Sequence, residues 1–191
     1  MATQVFYIDG NAFSKGNKLR IDDEAIVYKK QVIAFEDVVK FRFGYEKVQR
    51  FLMTGIHMRL QLVDKKENLL TIAQTSWSGK KSNKLKDFDV LFELLNKNYV
   101  DKEVDRMQKE FKINQFLAFD RVTFEDNAIV FQDESSSIEN IVTIPFKIVA
   151  VQEKTEGFDI MPEEKPNDAI SFNYFSDWNS LFIKRLTYLL S

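Results

Sequence analysis

Asp87-Phe88-Asp89-Val90-Leu91-Phe92-Glu93-Leu94-Leu95 constrains the fold more than any other stretch of this chain. It sets Phe88, Leu91, Phe92 and Leu95 at the i, i+3, i+4, i+7 spacing of one helix face. A helix with a single apolar stripe must bury that stripe against another layer. Near the C-terminus the same frame returns as Asp177-Trp178-Asn179-Ser180-Leu181-Phe182: an acid, an aromatic, two intervening residues, then Leu-Phe. The recurrence predicts two copies of one unit, each closed by a helix, with Phe88 and Trp178 in equivalent buried positions. Asp87 and Asp89 are expected near the positive N-terminal end of the first helix.

The segments ahead of the first helix have the period of strands. Gln4 to Ile8 alternates weakly. Leu19 and Ile21 alternate with charged neighbours, Asp22-Asp23-Glu24 makes a tight turn, and Ala25 to Tyr28 returns. Val32 to Phe35 leads into a second acidic turn at Glu36-Asp37. Val39, Phe41 and Phe43 then share one face, opposite Lys40 and Arg42. Ile56, Met58, Leu60 and Leu62 alternate with His57, Arg59 and Gln61, and Asp64 to Asn68 turns the chain into Leu69 to Ala73. A polar loop, Ser76 to Asn83, precedes the helix.

Beyond residue 118 the pattern restarts. Leu19, Ile21, Asp22, Asp23, Ala25, Ile26, Val27 and Tyr28 align without a gap on Val122, Phe124, Glu125, Asp126, Ala128, Ile129, Val130 and Phe131. Phe35-Glu36-Asp37-Val38-Val39 lines up with Pro145-Phe146-Lys147-Ile148-Val149. An insertion falls in the serine-rich stretch Asp133 to Ser137, and length changes confined to loops are what a duplicated domain should show. The expected domains are 1–100, a partly helical connector over 101–118, carrying the stripe Val104, Met107 and Phe111, and a shortened second copy over 119–191. In that copy Ala169 to Phe175 reads as a strand, and Gly157 and Pro162 to Pro166 as loop.

Composition sets the class of protein. With 45% apolar and 14% aromatic residues, 18 of them Phe, the chain can fill a core. Phe6, Tyr7, Phe13, Tyr45, Phe51, Phe172 and Tyr174 are assigned to that core. No cysteine is present, so disulfides and thiolate metal sites are excluded. The first residues lack the basic and apolar regions of a secretory signal, which makes the cytoplasm the expected location. Residues 1–100 carry 17 Lys+Arg against 12 Asp+Glu, and residues 101–191 carry 10 against 17. Opposite signs could steer the halves together or give them different partners. Neither surplus is basic enough for nucleic acid to be an expected partner.

Strands in succession, joined by short turns and closed by an amphipathic C-terminal helix, resemble the pleckstrin-homology-like superfold and its GRAM-like relatives. The local marks are the hairpin Leu-Arg-Ile-Asp-Asp-Glu-Ala-Ile-Val-Tyr and the strand entering an acidic turn, Val-Ile-Ala-Phe-Glu-Asp-Val. The resemblance covers about residues 15–100 and implies a mainly β architecture with α, a β-barrel or sheet closed by a helix. The second copy departs from it and is expected to be an incomplete barrel.

Chemistry-bearing motifs are sparse. His57 is the only histidine and lies on the polar face of a strand, so neither a zinc site nor a catalytic pair can be assembled from common parts. The acidic turns lack the spacing and glycine of a calcium loop, and no glycine-rich phosphate loop occurs. No metal, cofactor or catalytic residue is expected, and the chain reads as a non-enzymatic module for a protein or peptide partner. The alternative is recognition of anionic lipid head groups by the basic N-terminal half. Its candidate residues are Lys80, Lys81, Lys84 and Lys86, beside Trp77 and ahead of a helix N-terminus, extended by Lys29, Lys30 and Arg42.

Overall fold

A computed structural model describes residues 4–8, 17–77, 83–133 and 140–191. Strands dominate, and those described form two four-stranded and two three-stranded antiparallel sheets. The chain divides into two compact units. The first comprises residues 1–101 together with 174–176, and the second comprises 102–173 and 177–191.

In the first unit, β1 (Gln4–Ile8), β2 (Asn17–Ile21), β3 (Ala25–Tyr28) and β4 (Gln31–Ala34) pair in chain order. A 3₁₀ turn, Phe35–Asp37, leads to a second sheet of β5 (Val38–Arg50), β6 (Met53–Asp64) and β7 (Leu69–Ser76). Helix α1 (Asn83–Leu95) follows and runs on through a π-helical turn, Asn96–Val100. Local chemistry sets the turns. Asp22 Oδ1 accepts the backbone N–H groups of Glu24 (3.1 Å) and Ala25 (2.9 Å), closing the β2–β3 hairpin. Asp64 Oδ1 does the same for Lys66 and Asn68, at 2.9 and 2.8 Å, while Oδ2 accepts from the Asn68 side chain at 2.8 Å. That side-chain bond, joined by the two backbone donors and Lys66, holds the Asp64 carboxyl below its ordinary value although burial opposes it.

The core of this unit lies between its sheets and α1. Leu19, Ile21, Ile26 and Tyr28 are buried from the first sheet, and Phe41, Met58, Leu60, Leu62 and Ile72 from the second. Phe88, Leu91 and Leu95 are buried from α1, and Phe43 stacks on Phe88 (5.0 Å between centroids) and Phe92 (4.3 Å). Val39 departs from its expected face and is 48% exposed. The β5–β6 register shifts between Val38 and Lys40, and this bulge takes Val39 out of phase with Phe41. Helix α1 begins at Asn83, so Asp87 and Asp89 sit beyond its first turn rather than at its N-terminal end.

The second unit has helix α2 (Asp101–Asn114), then β8 (Phe116–Phe119), β9 (Val122–Glu125), β10 (Ala128–Asp133) and β11 (Asn140–Pro145), paired in chain order. After a 3₁₀ turn, Phe146–Ile148, come β12 (Val149–Lys154), β13 (Gly157–Pro162) and β14 (Ile170–Asn173), and helix α3 (Ser180–Leu190). The expected connector therefore forms α2 and β8. Val104 and Phe111 of its stripe are buried, and Phe111 meets Phe146 edge-on at 6.0 Å. The expected insertion, Asp133 to Ser137, falls almost wholly on 134–139, outside the described residues.

Gly157 to Pro162 corrects the sequence reading most sharply, because it is a central strand rather than loop. Glycine, a mid-strand aspartate and a terminal proline all disguise it. A Cβ on Gly157 would lie 1.8 Å from the Phe172 carbonyl oxygen, so only glycine fits that approach to β14. Asp159 is buried but paired: Lys154 Nζ lies 2.5 Å from Oδ2, and the Ser171 hydroxyl donates to Oδ1 at 2.7 Å.

Trp178 also differs from expectation. It is half-buried and precedes α3, where Asn179 takes a left-handed conformation (φ 57°). The buried aromatic of α3 is Phe182, with Leu181, Ile183 and Leu186. Among the described residues no sheet closes on itself, so the strands form open sheets rather than a barrel.

Both units run through four strands, a 3₁₀ turn, three strands and a helix in that order; the second has in addition α2 ahead of its strands and a further 3₁₀ turn, Pro166–Asp168, between β13 and β14. Phe35 N donates to Glu24 O at 2.7 Å, and Phe146 N donates to Asn127 O at 2.8 Å. Lys65 N donates to Asp37 O at 2.9 Å, and Glu163 N donates to Ile148 O at 2.8 Å. In each unit the first residue of the 3₁₀ turn, Phe35 or Phe146, makes the first of these bonds, whereas the sequence alignment pairs Phe35 with Pro145.

Candidate functional site at the end of the β5–β6 hairpin

Strands β5 and β6 run in register from Lys40↔Val63 out to Arg50↔Met53, joined by the two residues Phe51 and Leu52. Such tight connections favour glycine or asparagine, because part of the turn lies in the left-handed region. Here Phe51 occupies that region (φ 54°), although a bulky side chain is disfavoured there. Phe51 is 86% exposed, Leu52 fully exposed and Met53 52% exposed. Three consecutive large apolar side chains thus stand in water at the end of a projecting hairpin. Covering each would contribute roughly 1.5–3 kcal/mol before ordering costs.

The hairpin at the same place in the second unit provides a comparison. There β12 and β13 have six residues each, and the connection is Thr155-Glu156, between Lys154 and Gly157. In the first unit β5 has 13 residues and β6 has 12. Neither the length nor the apolar end is needed to build three such strands.

The surroundings of the tip are cationic. Lys47 and Arg50 are exposed on β5, and no Asp or Glu occurs from residue 47 to 63 or in β7. Trp77, 39% exposed, lies over Gly55 on β6, where a Cβ would come 2.9 Å from the indole Cε3. The glycine thus creates the seat for the indole.

The candidate residues of the sequence analysis are dispersed. Lys80 and Lys81 lie outside the described residues, and Lys84 and Lys86 fall in the first turns of α1, with Lys86 exposed. Lys29 and Lys30 make the exposed β3–β4 turn, with Lys29 Nζ 5.0 Å from the Tyr28 ring centre. Arg42 belongs to the other sheet, where its Nε donates to Gln61 Oε1 at 2.6 Å and its Nη1 to Ser176 O at 2.7 Å. Gln61 passes the row on to Thr71 Oγ1 at 2.8 Å. His57 Nδ1 lies 2.8 Å from Thr75 Oγ1 and its ring meets Phe175 edge-on. Among the described residues, no three His, Asp or Glu side chains converge as metal ligands.

Sequence reasoning misses Phe51, which it assigns to the core. The available signal is Phe51-Leu52-Met53 itself, three apolar residues in a row where a half-buried strand should alternate, with no turn-forming residue to mark the bend. Tyr7, also assigned to the core, is 50% exposed, and Phe13 lies outside the described residues. No family model, curated protein or solved structure matches the chain. Among the described residues, no helix is long and apolar enough to cross a membrane.

Proposed function

We propose that the chain is a non-catalytic interaction module built from two pleckstrin-homology-like units, and that it engages its partner through the end of the β5–β6 hairpin. The duplication is supported by the common element order and by the paired hydrogen bonds that fix each 3₁₀ turn to its neighbours. A binding role is supported by how the polar rows on β5–β7 are used: Arg42, Gln61 and His57 each have a structural hydrogen bond.

One observation carries the reading. An exposed apolar tip, retained at a backbone position unfavourable for Phe, is absent from the corresponding hairpin of the second unit. Residues held in sparsely populated backbone regions concentrate at functional sites, and contiguous exposed apolar surface marks interaction sites.

The test is a photo-crosslinking amino acid placed at position 52, compared with the same group at position 155, with cell extract including membranes. Adducts with protein or lipid are expected from position 52 and not from 155. Identical adduct patterns at both positions would refute the hairpin end as the binding element.

A further inference from the structure

We infer that the hairpin end docks on an anionic lipid bilayer, with Phe51, Leu52 and Met53 entering the acyl boundary and Lys47 and Arg50 at the head groups; this rests on the hairpin end being the binding element. Shape supports the choice. A convex two-residue tip with every large side chain exposed needs a surface that yields around it, which a bilayer does and a preformed protein pocket must be cut to match. Peripheral elements sink their apolar groups about 5–10 Å into the interface, and at about 3.4 Å per residue that depth accommodates the tip and little more.

Charge supports it as well. Arg50 directly adjoins the apolar residues, and Lys47 follows three residues behind. The nearest carboxylate on these strands is Glu46, one residue behind Lys47 and farther from the tip; none lies between Lys47 and Val63 or along β7, so the charges nearest the tip are both positive. Trp77 adds an independent observation. It is seated on Gly55, two residues back from Met53, or roughly 7 Å behind the tip at strand rise. That is the depth of the polar interface, where tryptophan is favoured. An apolar tip, an adjoining cationic level and an interfacial indole are thus stacked along one hairpin.

Three exposed side chains give weak anchoring by themselves, and stable attachment needs a second signal from the cations. Binding should therefore require both halves of the arrangement. The experiment is co-sedimentation of the full chain with vesicles of phosphatidylcholine alone and of phosphatidylcholine with phosphatidylserine, at low and high salt. The wild-type chain is expected to bind the serine-lipid vesicles at low salt and to lose them as salt rises. F51S/L52S should bind at least about a hundredfold more weakly, and K47Q/R50Q about thirtyfold more weakly. All four side chains are exposed, so circular dichroism and melting should stay at wild-type values, and the two variants test the inference separately. In a W178F background, Trp77 emission should shift to the blue with anionic vesicles and be quenched by lipids brominated near the head group.

Absence of binding to phosphatidylserine vesicles at low salt overturns the bilayer as occupant. In that case protein adducts from position 52 would still leave the hairpin reading intact, with a protein or peptide partner in the lipid's place. Undiminished vesicle binding by F51S/L52S overturns the proposed depth, as does Trp77 emission unchanged by bound vesicles.

Discussion

Gly157 and Asp159 stand two residues apart in β13, and each is tolerated there for a separate physical reason. A methyl group on Gly157 would collide with the Phe172 carbonyl, which is backbone and cannot swing aside. Gly157→Ala is expected to cost about 3 kcal/mol in urea denaturation, the upper end for overpacking; a wild-type midpoint would show that the strands separate easily. At Asp159, burial works against the charge, but bonds from Lys154 and Ser171 prevail and keep the carboxyl below its ordinary value of 3.8. A depressed carboxylate contributes stability above its unfolded-state value and loses it as pH falls through the folded-state value. Asp159→Asn should therefore melt below wild type at pH 7, and the gap should narrow as pH drops below 3.8. A gap independent of pH would mean that shape, not charge, matters at this position. Tyr45 has the opposite sign. Burial first, then its 2.7 Å hydrogen bond to Asp89, raises its pKa far above the ordinary tyrosine value. The unfolded chain ionises this group from about pH 10 upward while the folded chain does not, so stability falls there. Absorbance titration of Tyr45→Phe should lose one late-ionising tyrosine relative to wild type, and an unchanged high-pH limb would show that Tyr45 ionises with the exposed ones.

Among the elements, the two helices that close the units show how far periodicity reaches. The stripe Phe88, Leu91, Leu95 is legible from spacing alone, and all three side chains are fully buried. The C-terminal frame is legible as a helix but not in its phase. Asn179 starts α3 only after Trp178, which leaves Phe182 rather than Trp178 as its buried aromatic. Phe88→Ala and Phe182→Ala should each cost about 3–5 kcal/mol in chemical denaturation. Trp178→Ala should cost distinctly less than Phe182→Ala, and the reverse order would restore the phase read from sequence. Helix phase at a terminus depends on where the capping residue sits, and the identity of neighbouring aromatics does not report that.

Across the chain as a whole, the first unit is completed by three residues distant in sequence. Arg59 stacks on Phe175, 3.7 Å from the ring centre, and donates from Nη2 to its carbonyl at 2.8 Å. A Cβ on Gly44 would come within 2.8 Å of the Tyr174–Phe175 backbone, so the bare glycine is what admits that segment. Arg59 Nε is buried without a hydrogen-bond acceptor among the described residues, so the ring stacking and the single carbonyl bond must offset that loss. Phe175→Ala is expected to destabilise the protein by about 3 kcal/mol, read as a lowered urea midpoint with strand content retained. An unchanged midpoint would make Tyr174–Ser176 a passive passage of chain.

Local sequence was sufficient for the mainly β character, the β2–β3 and β6–β7 hairpins and the stripe of α1. Those features follow from short-range periods and from aspartates that bond to their own turns. The remaining features arose only through contacts between distant segments. Asp159 became a strand residue because Lys154 and Ser171 meet it across the sheet, and Val39 left its face because a bulge shifted the register. Phe51 ended in water because β5 and β6 pair beyond the body of the sheet, and Arg42 was drawn to Ser176, 134 residues away. Burial is a property of what the rest of the chain brings alongside, and no window of neighbouring residues contains it.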